Sequence, residues 1–301
     1  MLKIQKYAAI DIGSNAVRLL ISNIIEQDGD VVAFKKNALV RVPIRLGADV
    51  FVTGEISKHN QKRMLDTMKA FSLLMKSHGV VRYKACATSA MREATNSEPL
   101  SEKIAETCNI TIDIIDGEEE ATIIAATDLN SFIDANKTYL YVDVGGGSTE
   151  FSIIHNGTKI QSKSFKIGTV RLLNDSVKNE TWLELEHWIK DNTKRYDKIE
   201  LIGSGGNINK IFKISGKDAG KPLTYFYLTS YYKMLQNFSY EERITKLNLN
   251  QDRADVIIPA TRIYLSAMKW SGAKDIYVPK IGLSDGIIKS MYYETVASVK
   301  L

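Results

Sequence analysis

Cysteine is scarce in this 301-residue chain. Cys86 and Cys108 give neither a disulfide framework nor a metal-binding spacing, so reduced thiols in a cytosol are the expectation. Histidine is scarce too. His59, His78, His155 and His187 lie far apart, none at helical or hairpin spacing to another ligand, which argues against a zinc site. Five prolines and the lack of any low-complexity tract argue against long disordered linkers. No apolar run approaches the roughly 20 residues of a membrane span. Met1-Leu2-Lys3-Ile4-Gln5 runs straight into the first strand, with no room for a signal peptide, so a cytoplasmic protein is expected. The net charge of +5 suits an anionic ligand without indicating nucleic acid. With 44% hydrophobic residues the chain can bury a large core, and its length suits two domains.

Two segments look like copies of one device. Ala8-Ala9-Ile10-Asp11-Ile12-Gly13-Ser14-Asn15 stands near the N-terminus, and Leu140-Tyr141-Val142-Asp143-Val144-Gly145-Gly146-Gly147-Ser148-Thr149-Glu150 stands mid-chain. Each delivers an aspartate to the end of an apolar strand, follows it with a Gly/Ser turn, and enters another β-rich run. Glycines let main-chain N–H groups converge on an anion, and an Asp at the lip can hold a hydrated divalent cation. A single turn-forming Asp would be unremarkable; two in matching contexts point to function. A strand rather than a helix follows each turn, which excludes the dinucleotide fingerprint.

The periodicity predicts strands over 7–11, 17–24 and 31–37, with a turn at Gln27-Asp28-Gly29. A long helix follows from Ser57 to Gly79, with Met64, Met68, Phe71 and Met75 on one face. Strand 80–87, a short helix from Thr88-Ser89, helix 100–108, strand 110–115 and helix 118–129 complete a first α/β unit. The pattern then restarts with a strand to Asp143, another from Glu150, an Asn156-Gly157 turn and strand 158–165. A helix with Trp182, Leu185, Trp188 and Ile189 leads to strand 199–202 and the turn Gly203-Ser204-Gly205-Gly206. Helices over most of 229–271, strand 276–278 and a helix from Ser284 close the chain. The expected fold is therefore a duplicated β-β-β-α-β-α unit, with domains 1–132 and 133–301, the ligand in the cleft between copies, and the last helix free to cross back.

Glu118-Glu119-Glu120 opens a helix, where acids complement the macrodipole. Glu120, beside the small Ala121, is the one that could approach a loop and take a proton from water. Arg18, Arg45, Arg92 and Arg171 lie at turns or strand-to-helix junctions, and guanidinium forks match phosphate oxygens. Arg92, just past a strand end in Thr88-Ser89-Ala90-Met91-Arg92-Glu93, is the best placed.

Taken together, the chain resembles the exopolyphosphatase / guanosine pentaphosphate phosphatase family, of the sugar kinase–Hsp70–actin (ribonuclease H-like) fold superfamily. The likeness rests on Asp11–Leu19, Ala87–Ala94, Gly117–Ala121, Asp143–Glu150, Gly168–Leu172, Gly203–Gly206 and Asp255–Ala260, in family order nearly end to end. The resemblance implies that Glu120 is the general base. It makes Asp143, Glu150 and Asp11 the residues around magnesium, with manganese as a substitute. Phosphates would lie on Ser14, Asn15, Arg18, Arg92, Gly145, Gly146, Gly147, Ser148, Thr149, Gly205 and Gly206. Polyphosphate or a guanosine polyphosphate of the stringent response would be the partner, with a homodimer admitted, and with neither membrane nor specific nucleic acid. Asn207 stands where relatives carry a small hydroxyl residue. The chain stops where longer relatives add a helical region, so processive action on very long polyphosphate is not expected.

The resulting expectation is a magnesium-dependent exopolyphosphatase. Guanosine pentaphosphate hydrolysis is the alternative, although no residues stand out as a base pocket. A kinase or ATPase of the same fold would need adenine or acceptor sites. A non-catalytic sensor of alarmone or polyphosphate would have no need of Asp11, Glu120, Asp143 and Glu150 around an anion.

Overall fold

The computed structural model describes residues 1–28, 30–125, 127 and 134–299. By internal packing the chain divides into Met1–Thr127 with Gly282–Leu301, and Asp128–Ile281. The boundary expected between 132 and 133 lies outside the described residues, as do the end of helix 118–129 and Gly29 of the first turn. The division differs from 1–132 and 133–301 chiefly in grouping the final helix with the first unit.

The first unit runs β1 (Leu2–Ile12), β2 (Val17–Gln27), β3 (Asp30–Val42), α1 (Leu46–Thr53), α2 (Lys58–His78), β4 (Arg82–Ala87), α3 (Ser89–Glu93), α4 (Ser97–Cys108), β5 (Ile112–Ile114) and α5 (Gly117–Ala125). Its sheet has the order β3-β2-β1-β4-β5, antiparallel across β1–β3 and parallel across β1, β4 and β5. The second unit runs β6 (Thr138–Val144), β7 (Thr149–His155), β8 (Thr158–Phe165), α6 (Thr169–Leu173), α7 (Asn179–Thr193), β9 (Ile199–Ser204), α8 (Gly206–Ile214), β10 (Leu223–Thr224), α9 (Tyr225–Asn237), α10 (Tyr240–Thr245), α11 (Gln251–Ala254), α12 (Ile257–Ser271) and β11 (Asp275–Tyr277). Its sheet order is β10-β11-β9-β6-β7-β8. Read from β8 inward, β8-β7-β6-β9-β11 repeats the first sheet strand for strand and sense for sense. The last helix, α13 (Leu283–Val299), packs on β1, β2 and α5 of the first unit. This is the expected ribonuclease H-like arrangement, present twice.

Local chemistry accounts for the elements. Ser57 caps α2 by accepting the Asn60 N–H, and Gly79 ends it in the left-handed region. The Met64, Met68, Phe71 and Met75 stripe is buried in the first core, where each such side chain contributes about 1.5–3 kcal/mol. Asn156 and Gly157 both take positive φ, as a two-residue hairpin turn requires. Ser239 and Glu242 form a reciprocal capping box on α10.

Helices α1, α6 and α8 were not among the expected elements, and α6 starts without a side-chain cap. α1 begins at Arg45, itself left-handed, with no side-chain cap to announce it. α8 begins at Gly206, so the segment read as a Gly-rich turn is a strand end, Gly205, and the first helical residue. Ile208, Ile211 and Phe212 carry its buried face. Strand β5 is shorter than the expected 110–115, with Ile110 and Ile115 buried on either side of it and the Ile115 N–H bonded to the Ala87 carbonyl.

Candidate active site

The residues singled out in the first unit gather at the C-terminal ends of its parallel strands, the usual ligand edge of such sheets. Asp11 lies at the end of β1, buried, and its Oδ2 accepts from Arg18 Nη1 at 2.7 Å. The two are direct cross-strand partners and so share one face. The turn between them is closed by the Gly13 N–H on the Ala16 carbonyl at 3.2 Å. Its outer carbonyls are taken by the segment entering α1: Gly47 N–H donates to Ser14 and Arg45 N–H to Asn15, at 2.8 and 3.1 Å. Arg63 holds that segment through the Pro43 and Ile44 carbonyls. The Ser14 hydroxyl is buried with no partner among the described residues, as suits a donor that waits for a ligand.

Arg92 is half-buried on α3, and its guanidinium donates to the Ile115 carbonyl and, at 3.4 Å, to Ser89 Oγ. It therefore braces the junction that leads into α5. That helix is capped by Asp116, whose Oδ1 accepts the Glu118 and Glu119 N–H groups at 2.9 and 2.8 Å. Glu118 and Glu119 are exposed, whereas Glu120 is half-buried. Two of the three acids thus serve the helix terminus, and the third is set apart. Helix α3 has five residues. Cys86 pairs with Asp11 across β1 and β4; burial pushes its thiol up to about 12, so it is no nucleophile.

The second unit repeats the hairpin. Asp143 is half-buried at the end of β6, and Glu150, buried on β7, is its direct cross-strand partner. Gly145 N–H closes the turn on the Ser148 carbonyl at 3.0 Å, as Gly13 does on Ala16. The entry to α6 takes the turn's carbonyls: Thr169 N–H on Gly145, Val170 N–H on Gly146, and Arg171 Nε on Gly147 at 2.6 Å. Contact is so close that a Cβ on Gly168 would fall 2.3 Å from the Gly146 oxygen. With those carbonyls engaged, the Gly146 and Gly147 N–H groups are left without partners among the described residues. That is an anion cradle.

The hydroxyls of this loop have partners within the protein. Ser148 Oγ donates to Glu150 Oε1 at 2.6 Å, with Ser164 Oγ on the same oxygen at 3.0 Å, and Thr149 Oγ1 donates to the Ile167 carbonyl. These bonds orient Glu150 and the loop. Ser164 was not foreseen; its signal was the Asn156-Gly157 hairpin, whose register sets it opposite Glu150.

Gly205 leaves β9 at φ +118, a conformation that L side chains rarely adopt. A Cβ there would meet the Val144 carbonyl at 2.9 Å, the Tyr264 hydroxyl at 3.3 Å and Asp143 Oδ1 at 3.5 Å. Gly206 then opens α8, whose first N–H groups have no intrahelical acceptor. Asn207 is half-buried on that first turn. Tyr141 and Tyr264 are buried beside Asp143, and burial first, then that carboxylate, raises both phenols well above the usual range.

The Asp143–Glu150 pair fits a hydrated magnesium ion. Two carboxylates on one face repel each other unless a cation or proton intervenes. Among the described residues no set of three or more His, Cys, Asp or Glu forms a closed metal cage. Magnesium keeps several waters and needs one or two carboxylates, whereas structural zinc needs four ligands.

A duplicated ribonuclease H-like fold with an Asp-ended hairpin in each copy defines the class of the molecule. Residues 38–294 match the model of the Ppx/GppA phosphatase family, and the chain belongs to that family. It is 29% identical over 295 residues to the bifunctional 3-dehydroquinate synthase/phosphatase of Fusobacterium nucleatum, covering 90% of this chain and 44% of that protein. It is 32% identical over 178 residues to the guanosine-5'-triphosphate,3'-diphosphate pyrophosphatase of Photobacterium profundum, covering 59% of this chain and 33% of that one. The chain thus spans less than half the length of these relatives. An exopolyphosphatase structure from Cytophaga hutchinsonii shares the fold at a TM-score of 0.83 and 24% identity, over 96% of this chain and 98% of that one. Among the described residues no helix is long and apolar enough to cross a membrane.

Proposed function

We propose that the chain hydrolyses the terminal phosphoanhydride of inorganic polyphosphate. The observation that supports this best is the pair of matched hairpins, one ending in Asp11–Arg18 and the other in Asp143–Glu150. An arginine suits phosphate, a carboxylate pair suits a divalent cation, and the cradle between Gly145 and Ser148 suits phosphoryl oxygens. In this reading Glu120 takes the proton of a water that attacks the terminal phosphorus. The bond to the bridging oxygen breaks, orthophosphate leaves, and the chain shortens by one unit. Asp143 and Glu150 would hold magnesium, which would neutralise charge on the transferring group. Asp11, already paired with Arg18, orients that guanidinium toward phosphate oxygens. Ser14, Asn15, Arg92, the Gly145–Gly147 amides and the Gly205-Gly206 start of α8 position the rest of the substrate.

The Photobacterium relative's name keeps guanosine pentaphosphate as the second substrate. The deciding experiment is phosphate release from long-chain polyphosphate, short polyphosphate and guanosine pentaphosphate, side by side, with magnesium and with chelator. Release from polyphosphate that chelator abolishes is the expected result. Release from guanosine pentaphosphate alone would move the assignment to that substrate, and binding without release would make the chain a sensor.

A further inference from the structure

Helix α13 carries a glycine, Gly286, near its start. A glycine inside a helix destabilises it relative to alanine. Nor does the backbone ask for one here, since Gly286 has none of the positive φ that glycine supplies at Gly54, Gly79 and Gly272. The reason lies in what stands beside it. Gly286 is buried, and a Cβ there would fall 2.1 Å from the Ile123 carbonyl oxygen, 2.8 Å from its carbonyl carbon and 2.9 Å from Ile123 Cγ2. Ile123 belongs to α5, the helix that carries Glu120. A carbon in contact with a carbonyl oxygen stands about 3.3–3.6 Å away, so a methyl group at 286 would drive the two helices about 1 Å apart. The obstacle is main chain, and no change of rotamer relieves it.

The two helices are not equally anchored. Helix α13 has 17 residues, lies on β1, β2 and β4, and buries Ile287 and Ile288. Asp285, next to Gly286, pairs with Lys36 of β3 at 2.8 Å. Farther along, the Tyr292 hydroxyl donates to Glu26 of β2 at 2.5 Å, and its ring meets Phe34 edge-on at 5.6 Å. Helix α5 has nine residues, fewer than the roughly 12–15 at which a helix begins to stand by itself. Its first turn is fixed through the Asp116 cap, the Ile115 N–H on the Ala87 carbonyl at 3.0 Å, and Arg92 on the Ile115 carbonyl. Its later turns rest on α13. Glu120 lies between these two supports, three residues before Ile123 and therefore its neighbour on the helix surface. A displacement at Ile123 tilts α5 about its fixed end and carries Glu120 with it.

We propose that Gly286 is a positioning residue: by leaving room for the Ile123 carbonyl, it lets α13 act as the stop against which α5 is seated, and so fixes how far the Glu120 carboxylate extends. The inference rests on the reading of Glu120 as the base of a hydrolase. It gives the last helix a part in the reaction that passes only through α5.

The test is Gly286→Ala in the full chain, with Gly282→Ala as control, since a Cβ at Gly282 would meet nothing within 4 Å. With tripolyphosphate as substrate, G286A should lower kcat about tenfold to a hundredfold, the range expected of a misplacement of about 1 Å, and leave KM within about twofold. Manganese binding followed by electron paramagnetic resonance should be unchanged, and G282A should change none of these values. Added to Glu120→Gln, G286A should lower kcat no further, because the glycine acts through that carboxylate. A G286A that melts earlier with an unaltered kcat, or whose loss simply adds to that of E120Q, would make the glycine structural only and overturn the proposal. Amide exchange of the unsubstituted chain gives a second test that needs no variant. The amides of residues 123–125 should exchange as slowly as those of Ile287 and Ile288, and exchange as fast as in an isolated short helix would overturn the seating. If the unsubstituted chain turns over no phosphate compound, the hydrolase reading fails, and the α5 amides still decide whether α13 seats that helix.

Discussion

Asp11 faces Arg18 and Asp143 faces Glu150 across hairpins whose turn bonds and sheet neighbours coincide. Even the register irregularity recurs at the same distance from each aspartate, after Ile21 in one copy and after Ile153 in the other. One residue per hairpin then decides its chemistry. Arginine neutralises the first aspartate. Glutamate doubles the charge of the second, and Ser148 and Ser164 hold that glutamate in place. A duplicated backbone thus presents an acid–base pair in one copy and a pair of carboxylates in the other.

The comparison can be broken or sharpened by substitution. The largest effect is expected outside both hairpins, at Glu120. Glu120→Gln keeps the shape and removes the base, so kcat should fall by roughly 10²–10⁴-fold with little change in KM. Near-normal turnover would remove Glu120 from that role.

Glu150→Gln strikes the feature that sets the second hairpin apart. Manganese binding, read by electron paramagnetic resonance, should weaken by roughly a hundredfold, about 2.8 kcal/mol. Equal binding in the variant would place the cation elsewhere. Arg18→Glu makes the first hairpin resemble the second. In chelator it should lose on the order of 2 kcal/mol of stability, less than the 3–5 of a fully buried pair, because solvent screens the arginine. The Arg18 side chain is 35% exposed against 5% for Asp11. Calcium or magnesium should restore part of that loss in thermal melts, as a new carboxylate pair would require. A melt indifferent to divalent ions would show that two facing carboxylates are not enough.

Smaller effects are expected at Ser14 and Cys86. Ser14→Ala should weaken phosphate binding a few-fold and leave stability level or slightly raised, since it deletes a buried hydroxyl without a partner among the described residues. Cys86 should resist alkylation in the folded chain up to about pH 9, because its pKa of about 12 keeps it a thiol throughout that range. Rapid native-state modification there would contradict the tight packing around Asp11.

Much of this was legible without coordinates. The aspartates, the Gly/Ser turns and the Met stripe are local patterns, and period and capping reveal them directly. The separation of Glu120 from Glu118 and Glu119 was visible as a difference of neighbours and reappears as a difference of burial. Tyr264 was hidden for the same kind of reason. It occupies a buried position of α12 in line with Ile257, Ala260, Thr261 and Met268, so its spacing reads as core. Helix α1 was hidden because nothing at Arg45 caps it.

The sequence by itself determined the duplication, the positions of the acids and arginines, and the family, because strand periodicity, turn chemistry and motif order are properties of neighbouring residues. Tertiary structure alone decided that Ser164 meets Glu150, that the Arg171 side chain closes on the Gly147 carbonyl, and that Tyr264 of a distant helix reaches the Ser204 carbonyl. Those outcomes depend on which groups meet across strands and helices far apart in the chain, and burial makes each meeting either a bond or a cost.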